Sequence, residues 1–152
     1  MRYADLIELY FARSNSLQWY WTVYVIIVGG LLAFSSLRQR PDAPSVILVT
    51  VLFAFFAYKN LGAIRDVSME RFAILSAIKS THPNNPEEAA EVRRVRGDLE
   101  PTLNPPEYGG VRNFHIASDL LTVAAFWSME WRRRRIAAEA ASARGTSLAS
   151  AP

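Results

Sequence analysis

The sequence predicts an all-α integral membrane protein with three transmembrane helices. A fifth of its 152 residues are charged, but the charges are segregated along the chain. Three segments are almost free of charge, at 17–37, 43–64 and 113–131. The first has no charged residue, the second has only Lys59, and the third has one aspartate, one glutamate and one histidine. Because a helix rises about 1.5 Å per residue, roughly 20 residues cross a hydrocarbon core of about 30 Å. Each segment is therefore long enough for one crossing.

Residues 1–15 are predicted to form a short amphipathic helix on the membrane surface, separate from the first span at 17–37. Apolar side chains recur there at helical spacing, with acids on the other side. They are Tyr3, Leu6, Ile7 and Tyr10. Ser14, Asn15 and Ser16 then offer an N-cap for a new helix. The leader carries two acids as well as two arginines, so it is not the basic n-region of a signal peptide, and the apolar run is too long for one. We therefore expect the first span to be retained.

The connection between the first two spans, 38–43, is so short that the spans must form an antiparallel hairpin, with prolines suited to its turn. The second span, 43–64, is predicted to continue as a helix to about residue 80. Its apolar residues keep helical spacing beyond the bilayer, and they form a stripe: Ile64, Phe72, Leu75 and Ile78. Because an exposed apolar stripe needs a cover, we expect this one to bind a partner.

Residues 81–112 are predicted to form an extramembrane helix followed by a loop. Asn85 is expected to cap this helix and Gly97 to end it, and 98–110 holds three prolines and two glycines. After the third span, at 113–131, the segment 132–152 begins with four arginines and becomes rich in alanine and serine. We expect it to be a helix that frays into a flexible tail.

Arginines flanking the spans favour one orientation. The hairpin places the 38–43 turn and the C-terminus on the same side of the membrane. Six arginines flank that side and four flank the other, so the positive-inside rule places the N-terminus outside and the C-terminus inside. The first set is Arg38, Arg40, Arg132, Arg133, Arg134 and Arg135, and the second is Arg13, Arg65, Arg71 and Arg112. The overall composition is similar to that of many small bacterial membrane proteins, which indicates the bacterial cytoplasmic membrane.

One polar stripe interrupts the third span. Its members stand at i, i+3, i+4 and i+7, and helical counting places two residues of the second span at the same depth. The predicted intramembrane cluster is His115, Ser118, Asp119 and Thr122 with Lys59 and Asn60. Three interpretations are open: interfacial residues that reach headgroup water, a structural ion pair of Lys59 with Asp119, or a proton or ion site. We favour the ion pair.

Several function classes find no support in the sequence. The chain has no cysteine, which excludes disulfides and zinc–thiolate sites, and its two histidines stand 33 positions apart on different elements, so no metal site is expected. No catalytic or phosphate-binding motif occurs, and neither an enzyme nor a cofactor is predicted. The arginines after the third span are typical of a membrane flank, so nucleic-acid binding is not expected.

These features together predict a small, non-catalytic, multi-pass membrane protein. Its partners would be the lipid bilayer and either further copies of itself, as a homo-oligomer, or a larger membrane complex. The alternative is a small oligomeric transporter or channel component that uses Lys59, His115 and Asp119.

Overall fold

The protein is all-α in the computed structural model, which describes residues 3–82 and 86–149. Helix α1 spans Tyr3–Leu37, α2 spans Ala43–Ser80, α3 spans Pro86–Leu99 and α4 spans Tyr108–Ala149. A short 3₁₀ turn at Glu100–Thr102 follows α3. Within the described ranges, α1 and α2 are the helices that are long and apolar enough to cross a membrane by length and composition.

The chain divides into two compact units. Unit 1 contains residues 1–22 and 60–114, and unit 2 contains residues 23–59 and 115–152. Unit 1 therefore includes the beginning of α1, the end of α2 and all of α3. Unit 2 includes the end of α1, the beginning of α2 and most of α4.

Helix α1 differs from the sequence prediction because it is a single helix without a break near residue 15. The expected cap residues bond backward to their own helix instead. The Ser14 hydroxyl donates to the Tyr10 carbonyl at 2.9 Å, and the Ser16 hydroxyl donates to the Ala12 carbonyl at 3.1 Å. A serine bonded in this way satisfies its hydroxyl inside a helix and does not start a new one.

Three of the four residues in the apolar stripe that was expected to bind a partner are buried within the chain. Ile64 and Ile78 are fully buried and Leu75 is 8% exposed, whereas Phe72 remains 41% exposed. Leu75 and Ile78 are covered because the amphipathic start of α1 belongs to the same core, and so this start has an apolar partner other than the membrane surface. The core contains Tyr3, Leu6, Tyr10, Ile74, Leu75, Ile78, Val92 and Leu103.

Arginines hold the helices of unit 1 together at their polar edges. Arg96 of α3 donates to the carbonyls of Ile78 and Thr81, at 3.0 and 2.9 Å, where α2 ends. The Ile78 carbonyl also accepts the Thr81 backbone N–H at 3.3 Å, and Arg96 adds a second donor where α2 ends. Arg71 of α2 donates to the Tyr10 hydroxyl of α1 at 3.0 Å and also lies over its ring.

Helix α3 extends further than the sequence predicted. It continues through Gly97 to Leu99, because none of the described glycines has the positive φ that ends a helix in a left-handed turn. The expected cap Asn85 lies outside the described residues. Helix α4 starts at Tyr108, earlier than the predicted span, and continues to Ala149. Residues 150–152 of the expected tail also lie outside the described residues.

An aspartate in the turn between α1 and α2 caps the start of α2. Asp42 precedes α2, and its Oδ1 accepts the backbone N–H of Ser45 at 3.2 Å, the geometry of an N-cap. Arg38 lies 3.1 Å from the other carboxylate oxygen. The hydrogen bonds from Ser45, with the positive charge of Arg38, hold the pKa of Asp42 below its usual value.

Substitution of Ile78 tests the core of unit 1. Ile78→Ala should lower the free energy of unfolding by roughly 2–5 kcal/mol, because it removes buried methyl groups and leaves a cavity. Phe72→Ala is the control and should cost much less, since this ring is half exposed. Denaturant titration of the purified protein measures both. Equal losses would contradict the assignment of Ile78 to the core.

Candidate functional site

A buried polar cluster in unit 2 joins α1 to α4. The Tyr24 hydroxyl of α1 donates to Oδ1 of Asp119 at 2.9 Å. The other oxygen, Oδ2, lies 2.9 Å from Nδ1 of His115, one turn earlier on α4. His115 is fully buried and Tyr24 is 4% exposed. The rings of Tyr24 and His115 also pack, with centroids 4.3 Å apart.

This cluster satisfies groups that are costly to bury singly. A carboxylate in an apolar interior destabilises a fold unless hydrogen bonds replace its water. Asp119 has a donor from α1 on one oxygen and an imidazole nitrogen on the other. The cluster can therefore fix the rotation of α4 relative to α1, and its chain of hydrogen-bonding groups could also hold a proton.

Lys59 does not belong to this cluster. Its side chain is exposed, and it forms no ion pair with Asp119 or with any other described residue. The predicted Lys59–Asp119 ion pair is therefore wrong, because equal depth along two helices does not fix which way each side chain points. Asn60 is buried and belongs to unit 1.

The other predicted members of the polar stripe turn inward within unit 2. Thr122 is 7% exposed, and its hydroxyl donates to the Ser118 carbonyl at 2.7 Å. Ser118 itself is half-buried. Thr122 therefore satisfies its hydroxyl inside α4, whereas the Ser118 side chain lies within hydrogen-bonding reach of the Tyr24 hydroxyl and belongs to the cluster.

A second polar network surrounds Glu130, which is 1% exposed. Its Oε1 accepts the Asp42 backbone N–H at 3.0 Å and lies 3.1 Å from Nε of Arg134. Its Oε2 lies 3.4 Å from Nε of Arg133. Arg133 in turn donates to the Ser35 carbonyl at 2.6 Å, near the end of α1. The network therefore ties α1, the turn and α4 together.

The sequence analysis missed this network, although it contained a signal. Glu130 precedes Arg133 and Arg134 by three and four residues, the spacing at which helix side chains pair. The arginines were interpreted only as a membrane flank, and Glu130 only as a charge within the third span. The contacts to Ser35 and Asp42, far away in sequence, have no signal in the local pattern.

One small cavity lies beside these residues in unit 2. A cavity lined by Phe53, Thr122 and Phe126 has a volume of about 10 Å³, roughly the least that holds one water molecule. Among the described residues, no group of three or more histidines and acids is placed to hold a metal ion. The arrangement suits polar contacts between helices better than binding of a small molecule.

Comparison of the chain with protein-family models, with curated proteins and with solved structures finds no match in any of the three. The interpretation of the site therefore depends on its own geometry.

The Tyr24–Asp119 hydrogen bond can be tested by a double-mutant cycle. Tyr24→Phe should lower the free energy of unfolding by roughly 1.5–3 kcal/mol, since it removes a buried donor from a carboxylate. The loss of unfolding free energy caused by Tyr24→Phe should be smaller in a protein that already carries Asp119→Asn. Such a difference shows that the two side chains are coupled. Unfolding in mixed micelles measures these energies.

Two controls are built into this cycle. Tyr58→Phe should have no measurable effect, because Tyr58 is 75% exposed. Lys59→Met should add to Asp119→Asn without coupling. Strong coupling of Asp119 to Lys59 and none to Tyr24 would refute the geometry described.

Proposed function

We propose that this chain is a three-span protein of the bacterial cytoplasmic membrane, with its N-terminus outside and its C-terminus inside. The proposed role is non-catalytic: the chain self-associates in the bilayer and so builds a homo-oligomer or a larger membrane complex. The observation that carries the membrane part is the distribution of side chains in unit 2.

Unit 2 has apolar side chains outside and polar ones inside. Each of its three helices exposes large apolar residues, including Ile26 at 63%, Phe55 at 67% and Leu121 at 71%. In contrast, Ser35, His115, Thr122 and Glu130 are all buried. A water-soluble helical unit hides its apolar side chains, whereas a unit in lipid turns its polar groups toward other helices. The exposed apolar face of α4 supports a third crossing beside α1 and α2.

Fusion reporters test the three spans and their orientation. A reporter active only in the cytoplasm should work at residue 152 or in the 38–43 turn, and should be silent at residue 90. This pattern follows from three crossings with the arginine-rich flank inside. The reverse pattern would overturn the orientation. The same compartment for residues 90 and 152 would remove the third span.

Self-association is supported by a face of α1 that the chain leaves open. Gly29, Gly30 and Ala33 are exposed. A β-carbon placed on either glycine would meet no atom within 4 Å outside the adjacent helix backbone. In membranes, small residues four apart let another helix approach closely. Ile26 and Leu37 extend the exposed face on both sides.

A bulky residue on this face should break the oligomer and spare the fold. Gly29→Leu should convert the detergent-solubilised oligomer to monomer, because the side chain prevents close approach of a second α1 helix. Gly62→Leu is the matched control, since the space at Gly62 is also open, and should not change the size. Light scattering gives the mass. A wild-type monomer in bilayers and detergent would refute self-association.

Ion or proton transport is the second candidate, and the buried Tyr24–Asp119–His115 cluster is the observation that favours it. The small cavity in unit 2 counts against a pathway through one chain, so transport would require an oligomer. Asp119→Asn, which is also used in the double-mutant cycle, distinguishes transport from a purely structural role. Transport would be established if the wild-type protein carries ions or protons into vesicles and this variant does not.

A further inference from the structure

The four arginines after the third predicted span divide into two structural pairs. Arg133 and Arg134 contact Glu130, and Arg133 also bonds to the end of α1. Their charges are therefore used within unit 2. Arg132 is exposed and makes no ion pair with a described residue. Arg135 is 72% exposed and has only a loose contact with Glu139, at 3.6 Å.

The two outward arginines share one face of α4. They stand three residues apart, so they are neighbours on the helix surface. A hollow of about 270 Å³ opens along this face. Trp131, 70% exposed, borders it next to Arg132, and Ser128 lies one turn earlier. Glu139 limits the hollow at its other end.

We infer that Ser128, Trp131, Arg132 and Arg135 form a docking site for the headgroup of an anionic phospholipid. Tryptophan is favoured at the boundary between acyl chains and headgroups, because its ring is apolar and its N–H is polar. Arginine binds phosphate through parallel N–H donors. The Ser128 hydroxyl borders the hollow, and its one hydrogen is donated to the Ala125 carbonyl at 2.8 Å.

Charge complementarity favours an anionic lipid headgroup as the occupant of this site. Unit 2 leaves Arg132 without an ion pair to a described residue and Arg135 with only a loose contact to Glu139, next to the exposed apolar side chains of α4. An acidic protein segment could also satisfy two arginines, but it would not explain an exposed tryptophan and an apolar helix face beside them. The inference rests on the proposed third span, since only then does this face lie at the level of headgroups.

Lipid titration of the full-length protein tests the site. Short-chain phosphatidylglycerol, added to protein in a non-ionic detergent, should bind more tightly than short-chain phosphatidylcholine. Arg132→Gln with Arg135→Gln should weaken phosphatidylglycerol binding by about fivefold for each arginine. Glu139→Gln should strengthen it, because a competing negative charge is removed.

Two further variants make the result specific. Arg144→Gln removes the same charge from an exposed position further along α4 and should leave lipid binding unchanged. Trp131→Ala should weaken the binding of both lipids, since it removes the acyl-chain contact. The proposal would be overturned if Arg144→Gln weakened lipid binding as much as the substitutions of Arg132 and Arg135 do, or if the wild-type protein did not prefer phosphatidylglycerol to phosphatidylcholine.

Membrane extraction with carbonate separates this test from that of the proposed function. The lipid site alone would be refuted if carbonate leaves the wild-type protein in the membrane but substitution of Arg132 and Arg135 does not change phosphatidylglycerol binding. Wild type that carbonate releases would refute the membrane spans, and the lipid site with them.

Discussion

The arrangement of unit 2 depends on the burial of one carboxylate, that of Glu130. An isolated charge in this position would destabilise the fold by several kcal/mol, so the neighbouring groups must supply what water would supply. Arg133, Arg134 and the backbone N–H of Asp42 do so. Each of these contacts also constrains an element: the two arginines belong to the last part of α4, and Asp42 opens α2. Loss of any one would leave a buried charge with fewer partners, which is why the network fixes the helices together.

In each unit, an arginine from one helix donates to backbone carbonyls near the end of another helix. Arg133 donates to the Ser35 carbonyl near the end of α1, and Arg96 donates to carbonyls at the end of α2. The last carbonyls of a helix lack partners within the helix, and they carry its partial negative charge. A guanidinium from another helix satisfies several of them with one side chain. In both α1 and α2, an arginine from a later helix therefore binds near the C-terminal end.

The sequence predicted the helices better than their contacts. Charge-free segments and helical spacing are local properties, so the all-α class and the long, apolar α1 and α2 followed from them. The break near Ser14 was wrong because a serine that could cap a helix can also bond within one. The open stripe at Leu75 and Ile78 was wrong because its cover, the first turns of α1, lies some 65 residues earlier in the chain. The Tyr24–Asp119 contact is equally distant in sequence, and only the fold brings it together.

The proposed third span, 113–131, contains three titratable residues, and unit 2 shows how they could be accommodated in a bilayer. Mean hydropathy counts every residue of α4 equally, so His115, Asp119 and Glu130 lower it. The free-energy cost of placing a polar side chain in a bilayer depends instead on which groups that side chain contacts. His115 and Glu130 are buried, Asp119 is bonded to α1, and the exposed side chains between them include Leu120, Leu121 and Trp127. The polar residues thus belong to the helix contacts and the apolar residues to the outer surface. If the proposed third span is correct, such a segment needs its neighbours before it enters lipid, and it would insert against α1 and α2 and not as an independent span.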